Sequence, residues 1–269
     1  MSTAAPPQVG AAAEKPQKVG LTERARAERK LAWTLCAPAV IMMLLVTAYP
    51  IGYAIWLSLQ KKDLRFPDES GFAGVDNYVT VLTSGLWWEV VGNTVLITVI
   101  SVILELILGM IVALVMHRAI FGRGAVRTAV LIPYGIVTVV AAFAWFYAFS
   151  PDWGFVNNTF LSPDDKAWFG EKGSSLTVII LAEVWKTTPF MALLLLAGLS
   201  LVPDELHEAA KVDGASAVQR FFRITLPLMR PAILVALLFR TLDAFRIFDN
   251  IYIIQPGGAL DTESVSILG

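Results

Sequence analysis

Apolar positions in this chain gather into long blocks separated by shorter polar stretches. Five blocks, over 31–60, 90–116, 126–149, 176–202 and 232–254, reach the roughly 20 residues a helix needs to cross a hydrocarbon core of about 30 Å. A sixth begins at Thr262 with Ser264-Val-Ser-Ile-Leu and is cut off at Gly269, so it reads as an incomplete last span. An apolar segment in lipid must satisfy its own backbone groups, which makes every block a helix. The fold class expected is all-α, a polytopic membrane bundle of six helices with the last incomplete.

Residues 1–30 differ in kind. They are rich in Ala, Pro and Lys, and read as a disordered or frayed helical tail. The apolar run after them is too long, and too poor in cleavage signals, for a removed signal peptide. Pro38 and Pro50 predict kinks within the first span rather than its interruption. The organisation expected is therefore a tail over 1–30 and a membrane domain over 31–269.

Composition narrows the class. Apolar residues are 56% of the chain and charged residues 16%, against about 25% charged in a soluble domain. Mean hydropathy is +0.65. Too little polar surface remains to coat a soluble globule, which excludes an ordinary cytosolic enzyme. A net charge of −1 excludes nucleic acid as a partner held by overall positive charge. Cys36 is the single cysteine, which excludes an internal disulfide framework and a cysteine-rich metal site.

Loop charges set the expected orientation. Lys15, Lys18, Arg24, Arg26, Arg29 and Lys30 lie in the tail. Arg118, Arg123 and Arg127 follow the second span, and Lys211, Arg220, Arg223 and Arg230 follow the fourth. The alternate loops are acidic or balanced, with Asp152, Asp164, Asp165 and Glu171 outweighing Lys166 and Lys172. The basic segments share one side, so the N-terminus is expected in the cytoplasm and the chain in the plasma (inner) membrane. Trp87, Trp88, Trp153 and Trp168 sit near the other ends of the spans, where indole rings favour the headgroup layer.

The loop over 203–231 is full of helix formers. Asp204 can cap a short helix, Glu205 suits its positive end, and Gly214 can take the left-handed conformation that ends it. Ser216 with Gln219 fits a capping box that starts a second helix. Pro227 and Pro231 limit how that helix joins the fifth span. The result expected is a glycine-hinged helix–turn–helix knob. Ala209 and Ala210 let another protein approach closely, and Glu208 supplies an anchoring charge. A helix lying on the lipid surface is the plainer reading, but the apolar residues Leu206 and Val212 are few for adhesion.

Glu208-Ala209-Ala210, then Gly214, then Ile224-Thr225-Leu226-Pro227 resembles the EAA motif of binding-protein-dependent ABC importer permeases. Trp185-Lys-Thr-Thr-Pro189-Phe190 is similar to the family's W-x3-P-F segment. Phe248-Asp249-Asn250-Ile251-Tyr252 with Gly257-Gly258 is similar to its F-D-x-I-Y segment. Asn77-Tyr78 and Asn93-Thr94 match weaker landmarks. Gln255-Pro256 and Ala259 depart from the pattern, so the bend after the fifth span is expected to differ from the family's. The likeness covers about 31–269 and is greatest to sugar permeases of the maltose-importer class, trehalose importers among them.

That resemblance implies a MetI-like core forming half of a heterodimeric pore. The partners implied are a second homologous permease subunit, two cytoplasmic ATPase subunits, an extracytoplasmic sugar-binding protein and membrane lipid. It also implies a trehalose-like disaccharide as cargo. Glu208, Ala209, Ala210, Asp213 and Gly214 would couple to an ATPase. Lys186, Thr187, Phe190, Arg240, Asp243, Ala244 and Ile247 would line the substrate path.

The chain itself has no phosphate-cradling G-x-x-x-x-G-K-[ST] loop. Gly170-Glu-Lys-Gly-Ser is too short for one. ATP and Mg²⁺ are therefore expected on the partner ATPases, with no cofactor, catalytic residue or metal site here. His117 and His207 read as ordinary surface residues. Charges inside spans cost about 2.5–3.5 kcal/mol each near the centre. Glu105, Glu183, Lys186, Arg240, Asp243, Arg246 and Asp249 must then face protein or water. Asp243 can pair with Arg240 or Arg246, and Arg246 with Asp249. Arg240, Asp243, Ala244 and Ile247 share a helical face. The rival reading is an ion-coupled secondary transporter using Glu105, Glu183 and Asp243. A membrane-embedded enzyme lacks any recognisable nucleophile and base.

Overall fold

The computed structural model describes residues 23–63, 66–118, 123–156 and 168–255. Most of the tail and the whole sixth block lie outside them. The chain forms two compact units, Met1–Thr80 and Val81–Gly269.

In the first unit, α1 spans Glu23–Ser58 and runs through Pro38 and Pro50. It starts earlier than the pattern predicts, because Glu, Arg and Ala over 23–30 are good helix formers. An antiparallel hairpin that the apolar pattern does not predict follows, β1 (Gln60–Asp63) with β2 (Phe66–Phe72). Helix α2 (Asp76–Thr83) comes next. Asn77 fastens this turn by donating Nδ2 to the carbonyls of Ser58 (2.8 Å) and Gln60 (3.0 Å). The Tyr78 hydroxyl lies 2.6 Å from Ser58 Oγ. The Asn77-Tyr78 landmark thus closes a local turn.

The second unit is built on α3 (Gly85–Arg118) and α6 (Lys172–Leu199). They approach so closely at Gly109 that a Cβ there would lie 2.8 Å from Met191 Cγ. Small residues at crossings let helices meet where lipid gives no hydrophobic drive.

The third block departs from expectation. It is two helices, α4 (Arg123–Gly135) and α5 (Thr138–Ala148), bent by 85°. Hydropathy records the length of an apolar block and not its straightness. Pro133 and Gly135 weaken the helix at this point, and Val137 is extended (φ −57°, ψ 133°). The fifth block is also corrected. Helix α9 covers Arg230–Ala244 and ends well short of 254. A tight turn follows, with Arg246 N–H donating to the Asp243 carbonyl at 3.0 Å, and then a short α10 (Asp249–Ile254). The charges at 243, 246 and 249 explain the opening, since a continuous span would hold all of them in its walls.

Three helices are long and apolar enough to cross a membrane among the described residues, or up to five if each bent pair counts as one span. Apolar packing falls in two clusters. One joins α3, α5, α6 and α10 around Ile97, Ile179 and Ile251, and the other joins α3, α6 and α9 around Met110, Met191 and Ala236. Glu105 on α3, Thr187 on α6 and Arg240 on α9 lie between the two clusters in sequence, Glu183 on α6 and Asn250 on α10 fall among residues of the first, and all five are buried.

Candidate functional site

Arg240 on α9 is fully buried and reaches two other long helices. Its Nε and Nη2 donate to the two carboxylate oxygens of Glu105 on α3, at 2.7 and 2.9 Å, in a bidentate fork. Nη2 also reaches Glu183 Oε1 on α6 at 3.3 Å, and Nη1 donates to Asp243 one turn on. Asn250 Nδ2 donates to the other oxygen of Glu183 at 2.6 Å. The Thr187 hydroxyl lies 2.6 Å from both Glu105 Oε1 and the Glu183 carbonyl, so its single proton serves one of two acceptors. Sequence reasoning paired Asp243 with a neighbouring arginine. It missed Glu105–Arg240, because the partners are far apart in the chain. Arg246 and Asp249 form no ion pair with each other among the described residues.

This network floors a cavity of about 470 Å³ whose wall includes Lys186, Thr187, Asp243 and Ile247. Those path candidates are brought together. Phe190, Arg240 and Ala244 are not among its lining. Phe190 stacks on Tyr134 at 5.4 Å, Arg240 sits behind the wall, and Ala244 is buried in packing. Asp243 differs from Arg240 in being open, with its side chain 65% exposed. Tyr134, Thr138, Glu183, Arg246, Phe248, Asp249 and Asn250 complete the wall. The first two escaped sequence reasoning, although a tyrosine between Pro133 and Gly135 in an apolar run was a usable signal.

The break between α4 and α5 is held from α6. Lys186 Nζ donates to the Ile136 carbonyl at 3.0 Å, a group the helix end leaves without a partner, and lies over the Tyr134 ring. Trp185 meets Trp145 of α5 edge to face at 6.1 Å. The W-x3-P-F segment thus clamps a bent span.

At the far end of the unit stands the helix–turn–helix. Helix α7 spans Asp204–Val212, and α8 spans Ala217–Leu228 with a π-turn over Phe221–Thr225. Gly214 has φ +78°. Gly214 N–H donates to the Lys211 carbonyl (3.0 Å) and Ala215 N–H to the Ala210 carbonyl (2.9 Å), a Schellman ending. The capping box is present. Gln219 N–H reaches Ser216 Oγ at 3.3 Å, and Gln219 Oε1 accepts from Ser216 N–H at 2.8 Å. One expectation is corrected. Asp204 does not cap α7; Pro203 holds the cap position without a side-chain bond, and Asp204 lies in the first turn. His207 is not a plain surface residue either. It is half-buried, with Nε2 3.4 Å from Thr225 Oγ1, and links α7 to α8. His117 ends α3.

Glu208, Ala209, Asp213 and Gly214 are exposed, Ala210 is half-buried, and Val212 is 88% exposed. Trp168, by contrast, packs edge to face on Phe149.

Bent apolar helices around a buried charge layer, with an open polar cavity and a capped knob at one end, define a membrane transport protein. The chain belongs to the family of binding-protein-dependent transport system inner membrane components, whose profile matches residues 105–267. It is 58% identical over 243 residues to the trehalose transport system permease protein SugA of Mycobacterium tuberculosis, covering 90% of this chain and 78% of that one. It is 41% identical over 246 residues to the trehalose/maltose transport system permease protein MalF of Thermococcus litoralis, covering 90% and 82%. The fold matches a bacterial alginate ABC transporter solved in complex with an alginate pentasaccharide-bound periplasmic protein. That match has a TM-score of 0.74 and 24% identity, and covers 91% of this chain and 85% of that one.

Proposed function

We propose that this permease subunit carries a neutral disaccharide of the trehalose type inward. Its cavity forms part of the sugar path, and α7 with the Gly214 turn is the element a separate ATPase grips. The observation that carries the reading is the lining of the 470 Å³ cavity. Glu183, Asp243 and Asp249 face it beside Lys186 and Arg246, with Thr138, Thr187, Tyr134 and Asn250 between. Mixed charge with many donors and acceptors suits a polyhydroxylated, uncharged cargo better than a single ion. The trehalose transporters among the relatives support that choice.

The Glu105 carboxylate has both oxygens engaged by Arg240, which speaks against its use as a proton or ion site. In this reading ATP and Mg²⁺ are bound by partner ATPases. A second permease and an extracytoplasmic sugar-binding protein complete the assembly, and the α7 end faces the cytoplasm. Exposed Val212, one turn on from exposed Glu208, gives α7 a small mixed docking face. Closure of the ATPases would move α7 and, through α8 and the 68° bend into α9, the helix that carries Arg240 and Asp243.

The test is uptake of labelled trehalose by the reconstituted assembly. ATP-dependent uptake that falls in Asp243→Ala and Lys186→Met, with assembly intact, is expected. Uptake that persists without ATP, or normal uptake in both variants, would overturn the reading.

A further inference from the structure

A second, larger cavity lies at the α7 end of the helical unit and is separate from the polar cavity. Its volume is about 630 Å³. It opens between the last turn of α3, the end of α6 and the two helices of the knob. Arg118, Lys211 and Arg220 line it together with His117 and His207, against one acid, Asp204. Arg220 already donates Nη1 to the Ala215 carbonyl at 2.7 Å, which fixes its guanidinium at the rim while its other N–H groups stay available. Leu199, Phe221 and Phe222 supply an apolar wall, and Phe222 is exposed.

The two halves of this lining ask for different things. Three permanent cations around one carboxylate ask for an anion. An apolar wall beside them, at the ends of membrane-crossing helices, asks for a hydrocarbon chain. A free inorganic anion would use only the first half. The sugar-path residues play no part, and the exposed docking residues Glu208, Ala209 and Val212 are not in the lining.

We propose that this cavity holds the phosphate headgroup of an anionic phospholipid from the cytoplasmic leaflet, with the start of an acyl chain along Leu199, Phe221 and Phe222. Basic pockets between helix ends on that side of a bilayer bind such headgroups. A lipid seated there would brace α7 and α8 against α3, so the knob would be stiffest in an anionic membrane. The proposal rests on the cytoplasmic placement of the α7 end given above.

The test uses the whole assembly, purified with its partners and reconstituted in nanodiscs of phosphatidylcholine alone or mixed equally with phosphatidylglycerol. Native mass spectrometry counts retained lipid, and sugar-stimulated ATPase activity is read on the same samples. Retention of phosphatidylglycerol over phosphatidylcholine is expected. Arg118→Gln should lower it about fivefold, the effect of one cation near an anionic surface. Arg118→Lys should restore most of it, and Arg230→Gln, outside the cavity, should leave it unchanged.

Equal retention of both lipids with intact sugar-stimulated ATPase overturns the proposal and leaves the transport reading standing. Selective retention that Arg118→Gln lowers about fivefold, in an assembly that no sugar stimulates, supports the lipid site and faults the transport reading. If inorganic phosphate alone protects α7 from hydrogen exchange in phosphatidylcholine as well as the anionic lipid does, the site is one for a soluble anion and the lipid assignment falls. If Arg118→Gln releases the ATPase subunits while the lipid count holds, the cavity receives protein and the proposal falls as well.

Discussion

Arg240 is fully buried and holds carboxylates from α3 and α6, whereas the residues around Gly214 are exposed and held by bonds to near neighbours. Both regions are rich in polar bonds, but their energetics differ. Around Arg240 the solvent is excluded, so each charge depends on its partner, and removal of one leaves the others stranded. Around Gly214 water replaces any bond that is lost, so each cap is worth only about 0.5–2 kcal/mol. A deep network fixes how helices sit against one another. A shallow one fixes only the local shape of an exposed projection.

The sharpest way to break the comparison is Arg240→Ala. It leaves Glu105 and Glu183 buried without their cation and should cost about 3–5 kcal/mol. Thermal unfolding of the purified assembly measures it. Glu105→Leu combined with Arg240→Met should recover the share owed to Glu105, because an apolar pair needs no compensation there, while the share owed to Glu183 remains lost. A loss of about 1 kcal/mol or less in Arg240→Ala, the worth of an ordinary hydrogen bond, would show that the carboxylates are not stranded.

These two regions also divide what the sequence can and cannot convey. The knob follows short-range rules. Gly214, Ser216 and Gln219 each announce their role to residues a few positions away, and all three act as read. Asp204 failed because Pro203 took the cap position. The buried charges announced only that they must avoid lipid. That Arg240 would choose Glu105 depends on how α9 crosses α3, and no local rule contains that crossing. The α4–α5 break stood in between. Pro133 and Gly135 were visible, but the carbonyl that makes the break tolerable is held by Lys186 from a distant helix.

Packing gives a second, smaller effect within the buried region. A Cβ on Gly198 would lie 2.3 Å from Ala232 Cβ, where α6 meets the start of α9. Gly198→Ala should therefore destabilise by about 1–3 kcal/mol through overpacking. Adding Ala232→Gly removes the clash and should restore most of the loss. Failure of that rescue in thermal unfolding would mean the helices do not cross at this point.

At the turn, Gly214→Ala isolates backbone strain, since nothing lies within 4 Å of the added Cβ. At φ +78° an alanine should cost about 1–2 kcal/mol. The cost should show as faster hydrogen exchange of α7 amides alone, with α3 and α6 unchanged. Slowed or unchanged exchange in α7 would mean that the left-handed turn does not hold the knob.

The smallest effect on stability is expected from Glu208→Lys. Glu208 is exposed on α7 and takes part in none of the ion pairs among the described residues. A surface change of this kind stays within about 0.5 kcal/mol. The sidedness of the comparison then becomes testable, because an element that is cheap to alter for folding is costly to alter for docking if a partner grips it. Sugar-stimulated ATPase activity should be lost while unfolding temperature and lipid retention hold. Normal coupling in Glu208→Lys, with the reversed charge verified on the purified chain, would move the grip away from this face of α7 and toward the Gly214 turn.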